Sequence, residues 1–225
     1  MVYFLDEPAQ VESLDTELIR SAHGIFKVFS LKNTPLETGN LLWTSFTVDM
    51  NEASHSDYYT AIDFHYQVVD SAKVIIPFEP AEFRQYLSDS YTEPIHEAVL
   101  YKDYLDKLLF FGFRKGPLAD NSMSDYEIIL NPEKENGHPT FYIRSKKTGT
   151  TPSYTHTVHE SHGKRDETVF AFDMTEFIAY YEKHISNTGS VWFNLKYKVG
   201  EDNNGNDIYR EFRDNPIRWN VKSGK

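Results

Sequence analysis

The chain predicts a mainly-β α+β fold, built as two diverged copies of a β-β-β-α-β-β module that form either OB-like barrels or one shared β-sandwich. Three observations predict it. Aromatic residues make up 15% of the 225, with 16 Phe and 15 Tyr, a bias that favours strands and half-buried surfaces. Short runs rich in Val, Ile, Phe and Tyr alternate with clusters of Gly, Pro, Asn and Asp, which punctuate strands. The chain also resembles itself at a distance.

Taken in order, residues 1–24 read as an N-terminal arm, with an apolar start at Val2–Leu5. A small helix is expected over Ser13–Ala22, closed by Gly24. Strands follow at Ile25–Lys32, Leu41–Met50, Thr60–Val69 and Lys73–Phe78, the last two joined by a tight turn at Asp70-Ser71. Pro80 suits the first turn of a helix over Glu79–Leu87. Thr92 can cap a second helix reaching Leu108, since Ile95, Val99, Leu100 and Tyr104 recur at helical spacing. Strands resume at Leu109–Lys115 and Tyr126–Leu130, and Glu135-Asn136-Gly137 makes a turn. Further strands are expected at Phe141–Lys147, Tyr154–Glu160 and Thr168–Phe172. A helix over Thr175–Ile185 stops near Asn187 and Gly189. Val191–Val199, Ile208–Phe212 and Ile217–Val221 complete the strands.

The self-similarity keeps its order along the chain. Phe26, Val28, Ser30 and Lys32 recur as Phe141, Ile143, Ser145 and Lys147, each 115 positions later. The junction Phe78-Glu79, Glu82-Phe83, Tyr86 recurs 94 positions on as Phe172-Asp173, Glu176-Phe177, Tyr180. Phe111, Asp120, Asn121 and Asp125 recur 82 positions on as Phe193, Asp202, Asn203 and Asp207. Such a junction repeats for a physical reason. A ring at the strand end enters the core, an acid favours the helix N-terminus, and Phe and Tyr three residues apart share the packing face. The expected units are residues 25–138 and 139–225, the first enlarged by an extra strand pair and an extra helix.

Charge is uneven. The net charge is −11. Residues 1–140 hold 10 Lys/Arg and 23 Asp/Glu, a net of −13, whereas residues 141–225 hold 13 and 11, a net of +2. The acidic part repels phosphate backbones, so nucleic acid is expected only through residues 141–225. The absence of cysteine excludes disulfides, thiolate metal sites and a cysteine nucleophile. Met1–Gln10 lacks a basic start and an apolar core, and Leu108–Phe111 is far too short to span a bilayer. A cytoplasmic protein without membrane contact is expected, or a phage component assembled from the cytosol.

Four constellations bear on chemistry. His156, His159 and His162 lie within seven residues, a density that suggests a divalent metal. Yet His156 and His159 point to opposite faces of an extended segment, leaving His159 and His162 to converge with Asp166 or Glu167. Asp202, Asn204 and Asn206 have the alternate spacing of a calcium loop, but Asp207 and Arg213 stand where such a loop needs Gly and Glu. A hairpin loop fits better. His138-Pro139-Thr140 and His184-Ile185-Ser186 are two His-x-Ser/Thr triplets, in a chain of nine histidines where chance supplies such pairs. Finally, aromatic and basic side chains mark candidate binding surfaces: Trp43, Tyr58, Tyr59 and Tyr66 in the first copy, and Arg144, Lys146, Tyr154, Trp192 and Trp219 in the second. The same rings at alternate strand positions also suit a core.

No phosphate loop, nucleophile elbow or dinucleotide fingerprint is present, and no cofactor is expected. The expected function is therefore a non-enzymatic binding or assembly protein acting through Tyr/Trp-rich β surfaces, on a protein partner or on a second copy. Two alternatives stand beside it: single-stranded nucleic-acid binding by tandem OB-like modules, and a metal-dependent hydrolase using His159 and His162.

Overall fold

The computed structural model describes residues 1–49, 57–88, 92–105, 107–115, 124–147, 167–184 and 190–220. Among the described residues it is mainly β, with two α-helices and two hydrogen-bonded sheets.

The first five strands curl into a closed barrel. They are β1 (Val2–Ser13), β2 (Leu18–Ser21), β3 (Gly24–Val28), β4 (Leu41–Val48) and β5 (Tyr59–Lys73). β1 pairs antiparallel with β2 and β4, β2 with β3, and β4 with β5. β3 then pairs parallel with β5 through Phe26 opposite Tyr59 and Val28 opposite Ala61, which closes the ring. Alternation decides what goes inside. Val11, Ile19, Phe26, Val28, Leu42, Phe46, Val48 and Ala61 fill the interior, and Leu31 and Leu36 from the β3–β4 connection plug it.

Three expectations change here. Residues 1–24 are not an arm, because β1 and β2 are barrel strands. The helix expected over Ser13–Ala22 is a turn followed by β2, since the Thr16 N–H bonds the Ser13 hydroxyl and Ile19 pairs with both Val11 and Phe26. The expected turn at Asp70-Ser71 is also absent. β5 runs straight through it, because β11 (Thr168–Asp173) lies parallel to Asp70–Lys73 and supplies the backbone partners.

The second unit has two sheets facing one core. The first sheet continues from β5 through β11 to β8 (Leu108–Lys115) and β7 (Ile95–Leu105). The second contains β9 (Ser124–Glu135), β10 (His138–Lys147), β12 (Ser190–Glu201) and β13 (Asp207–Glu211), with β6 (Thr92–Glu93) on β10 and β14 (Ile217–Asn220) on β12. Between them lie Leu109, Phe111, Phe113, Phe170 and Phe172 from one side, and Tyr126, Ile128, Phe141, Ile143, Phe193, Leu195 and Trp219 from the other. Helix α1 (Pro80–Ser88) seats Phe83 on Tyr142, with ring centroids 5.2 Å apart. Helix α2 (Thr175–His184) seats Phe177 on Phe141 at 4.7 Å.

Three further expectations are corrected. The second helix, Thr92 to Leu108, is strand: β7 pairs with β8 along Ile95–Leu105. Both faces of β7 are covered, Ala98 and Leu100 by the core between the sheets and Tyr101 and Leu105 by the cluster against the barrel, so the two-residue alternation is lost from the sequence. The boundary at 138/139 cuts the β9–β10 hairpin inside a single core. The junction equivalence also fails at its first residue: Phe172 is fully buried, whereas Phe78 is 82% exposed.

Barrel and two-sheet unit share a small apolar contact. Leu41, Val69, Leu105, Phe110, Val169 and Ala171 form it, with Trp43 and Tyr101 packed alongside.

Candidate binding surface

The outer face of the barrel has two halves. On β4, Leu41, Trp43, Ser45 and Thr47 alternate with the interior residues and point outward. At one end, Trp43 lies opposite Pro8 of β1 and Gln67 of β5. That end docks on the second unit, with the Trp43 ring 4.4 Å from Tyr101. At the other end, Thr47 lies between Tyr3 of β1 and Ile62 of β5. Nothing among the described residues covers that row. Tyr3 is 61%, Leu5 56% and Ile62 38% exposed.

The open half continues round to β3. Thr60, two residues before Ile62 on the same side of β5, pairs with Lys27. The Lys27 ammonium lies 5.6 Å from the ring centres of both Phe29 and Tyr58, a spacing at which a cation is held by ring faces. Phe29 is itself 62% exposed. An apolar and aromatic band thus runs from β3 across β5 and β4 to β1. Most of the barrel around it is acidic: residues 1–73 carry 4 Lys/Arg against 11 Asp/Glu, a net of −7.

The outer face of β10, β12 and β13 has the opposite character. Its rows place Arg144 beside Glu127, and Tyr142 beside Lys196. Arg144 is fully buried and ion-paired with Glu127. Lys198, nearly as buried, bridges Asp207 and Glu201. Lys196 pairs with Glu135, which also accepts the Tyr142 hydroxyl and the Asn131 amide. Burial raises the Glu135 pKa, but the bonds from Lys196, Tyr142 and Asn131 outweigh it and leave the carboxyl below its ordinary value. Burial, and then Glu135, push the Tyr142 phenol up; burial, with Asp207 next, does the same to Tyr209. Every charge named here has an opposite partner. The face is a cross-linked ion network.

A third polar cluster sits at the contact between the units. The Tyr101 hydroxyl donates to Glu167, which also pairs with Arg114 at 3.6 Å, and Arg114 reaches Glu97. Gly112 makes room for it, because a Cβ there would overlap the Glu167 carboxylate.

The predicted site residues scatter among these places. Tyr58 flanks Lys27 on the open band. Tyr59 leans on Phe26 at 5.9 Å, and Tyr66 stacks on Phe64 at 5.7 Å, both packed against the barrel core. Trp43 is part of the contact between units, Arg144 is in the ion network, and Trp219 is fully buried. Lys146 lies in β10 opposite Asp125. Trp192 is exposed on β12 beneath the Arg218 guanidinium, 5.8 Å from the ring centre. Tyr154, His156, His159 and His162 lie outside the described residues. The Asp202 loop is a hairpin in which the carboxylate accepts the Asn204 and Asn206 N–H groups and the Asn206 amide, which holds its pKa low. Sequence reasoning missed Tyr3, Leu5, Lys27, Phe29 and Ile62. The signal was the extended apolar start Val2–Leu5, which fits a strand better than an arm.

No family model matches the chain, and no curated protein does. Solved structures match over nearly the whole length. An uncharacterized protein from Parabacteroides merdae superposes with a TM-score of 0.64 at 12% identity, covering 94% of this chain and 96% of that one. A candidate lipoprotein from Bacteroides fragilis gives 0.60 at 10% identity, with full coverage (100%) of both. A NigD-like immunity protein from Bacteroides caccae gives 0.55 at 11%, covering 97% and 98%. At these identities the likeness is one of fold.

Proposed function

We propose that this chain is a non-enzymatic binding protein, and that the open half of the barrel's outer face is where a protein partner sits. One observation carries the reading: Tyr3 and Ile62 flank Thr47 in one row of the barrel's outside, and with Leu5 and Phe29 on the same barrel they are exposed. A compact apolar patch on a charged surface is the usual mark of an interaction site. The barrel itself reads as OB-type, with five strands, Greek-key closure and a helical turn, Leu31–Asn33, between the third and fourth strands. The binding sites of such barrels lie on the face of the second and third strands and the adjoining loops, so the row on β1, β4 and β5 would be a different surface of the same barrel. The net charge of −7 on residues 1–73 argues for protein over nucleic acid. One structural neighbour is a NigD-like immunity protein.

Photo-crosslinking in the native host tests it. A benzoylphenylalanine at Ile62 or Phe29 is expected to trap a discrete adduct, and the same group at Ile208, an exposed position on β13, is expected to trap none. Equal trapping at all three positions, or turnover abolished by one polar substitution, would overturn the reading. No described helix is long and apolar enough to cross a membrane. Cell fractionation separates the cytoplasmic location expected from sequence from the envelope location that the lipoprotein likeness suggests.

A further inference from the structure

The first strand is paired on both sides over only part of its length. β4 lies opposite Val2–Phe4 and Glu7–Gln10, whereas β2 lies opposite Ala9, Gln10, Val11 and Ser13 alone. Among the described residues no strand pairs with the other edge of Val2–Leu5. That edge carries backbone N–H and C=O groups, a template for a further strand. Soluble proteins blunt such edges with charge, proline or a cover. Here Val2, Tyr3 and Leu5 are all exposed; the acids Asp6 and Glu7 and Pro8 come only after them, where a bulge shifts the register between Phe4 and Glu7.

We propose that Val2–Leu5 accepts an extended segment of a partner protein as an added strand, with apolar side chains alternating over Tyr3 and Leu5 and with Lys or Arg at its other positions. The proposal rests on the reading of the barrel face as a binding surface, and it specifies the mode and the partner's chemistry. The open backbone edge selects a strand, because a helix would leave those hydrogen-bonding groups unused. The charge selects a basic partner: Asp57 and Asp63 are exposed on the same barrel, whose residues 1–73 carry a net −7. It also disfavours a second copy, which would bring another net −7 against the first.

The test uses the full chain and three fluorescein-labelled peptides of about ten residues, long enough for one strand. The first alternates Val or Tyr with Lys. The second replaces Lys with Glu. The third keeps the Lys side chains but is N-methylated along one edge. The first peptide is expected to bind, more weakly as salt rises, and the other two at least about tenfold more weakly. Tyr3→Lys with Leu5→Lys is expected to cost the first peptide a similar factor. Both side chains are exposed, so circular dichroism of that variant should match the parent. Equal binding of the N-methylated peptide overturns strand addition, and so does undiminished binding by the variant. A concentration-dependent dimer that the variant abolishes in sedimentation makes the occupant a second copy, which also overturns the proposal. No binding by any peptide, with crosslinking at Ile62 and Phe29 intact, removes the added strand and leaves the barrel face standing. Loss of both removes the face as well.

Discussion

Phe83 of α1 and Phe177 of α2 approach the same strand from opposite sides, one against Tyr142 and the other against Phe141, neighbours on β10. Each helix opens with an acid one position before its Phe, Glu82 and Glu176. The strand-end rings that precede them part company. Phe172 sits in β11 between β5 and β8, touching Phe111 at 5.5 Å and Phe170 at 5.2 Å. Phe78 follows Pro77 in a connection, is exposed, and donates its N–H to Glu82. A local pattern can therefore specify a helix start and its anchoring ring. It cannot specify whether the residue before the helix belongs to a central strand, because that depends on partners supplied from far along the chain.

Substitutions break this comparison in graded steps. Phe172→Ala and Phe177→Ala empty a close-packed core and should each cost about 3–5 kcal/mol in chemical denaturation. Phe83→Ala should cost less, about 2–3 kcal/mol, because its partner Tyr142 stands on the polar face of β10. A cost equal to that of Phe177→Ala would show that the two faces are energetically alike. Gly112→Ala probes the α2 side from behind, where the Glu167 carboxylate must swing away from its place beside Tyr101. About 1–3 kcal/mol is expected, and the Glu167→Gln background should not rescue it, since the clash is steric.

The two faces of β10 should also differ in their response to acid. Glu135, on the α1 side, has a folded pKa below the reference value of 4.5. Its contribution to stability is complete above that reference value and is lost as pH falls through the lowered folded pKa. Glu135→Gln should therefore flatten the acid limb of Tm against pH, and Phe177→Ala should lower the whole curve without changing that limb. At the small end, Phe78→Ala should stay within about 0.5 kcal/mol. A loss as large as that of Phe172→Ala would restore the equivalence of the two junctions.

Legibility followed the number of covered faces. β4 alternates cleanly, Leu42, Thr44, Phe46 and Val48 inward and Trp43, Ser45 and Thr47 outward, and its bounds were readable to within two residues. β7 packs on both sides, and the same covering erased its alternation and left a spurious helical period. At the candidate surface, Tyr58 was anticipated as a binding residue and stands on the open band. Tyr3, Leu5 and Ile62 were not, because nothing local marks a strand residue as outward until its partner strands are known.

By itself the sequence determined the β-rich class, both anchored helices, the Asn136-Gly137 hairpin and the acidic N-terminal region. These depend on side-chain volume, backbone preference and charge, which act over a few residues. Only the tertiary structure decided that the first 21 residues are barrel strands, that β5 passes from barrel to sheet without turning, and that Arg144 and Trp219 are buried while Tyr3 and Phe29 face solvent. Those outcomes rest on pairings between residues tens to a hundred positions apart, whose free energy exists only once both strands are in place.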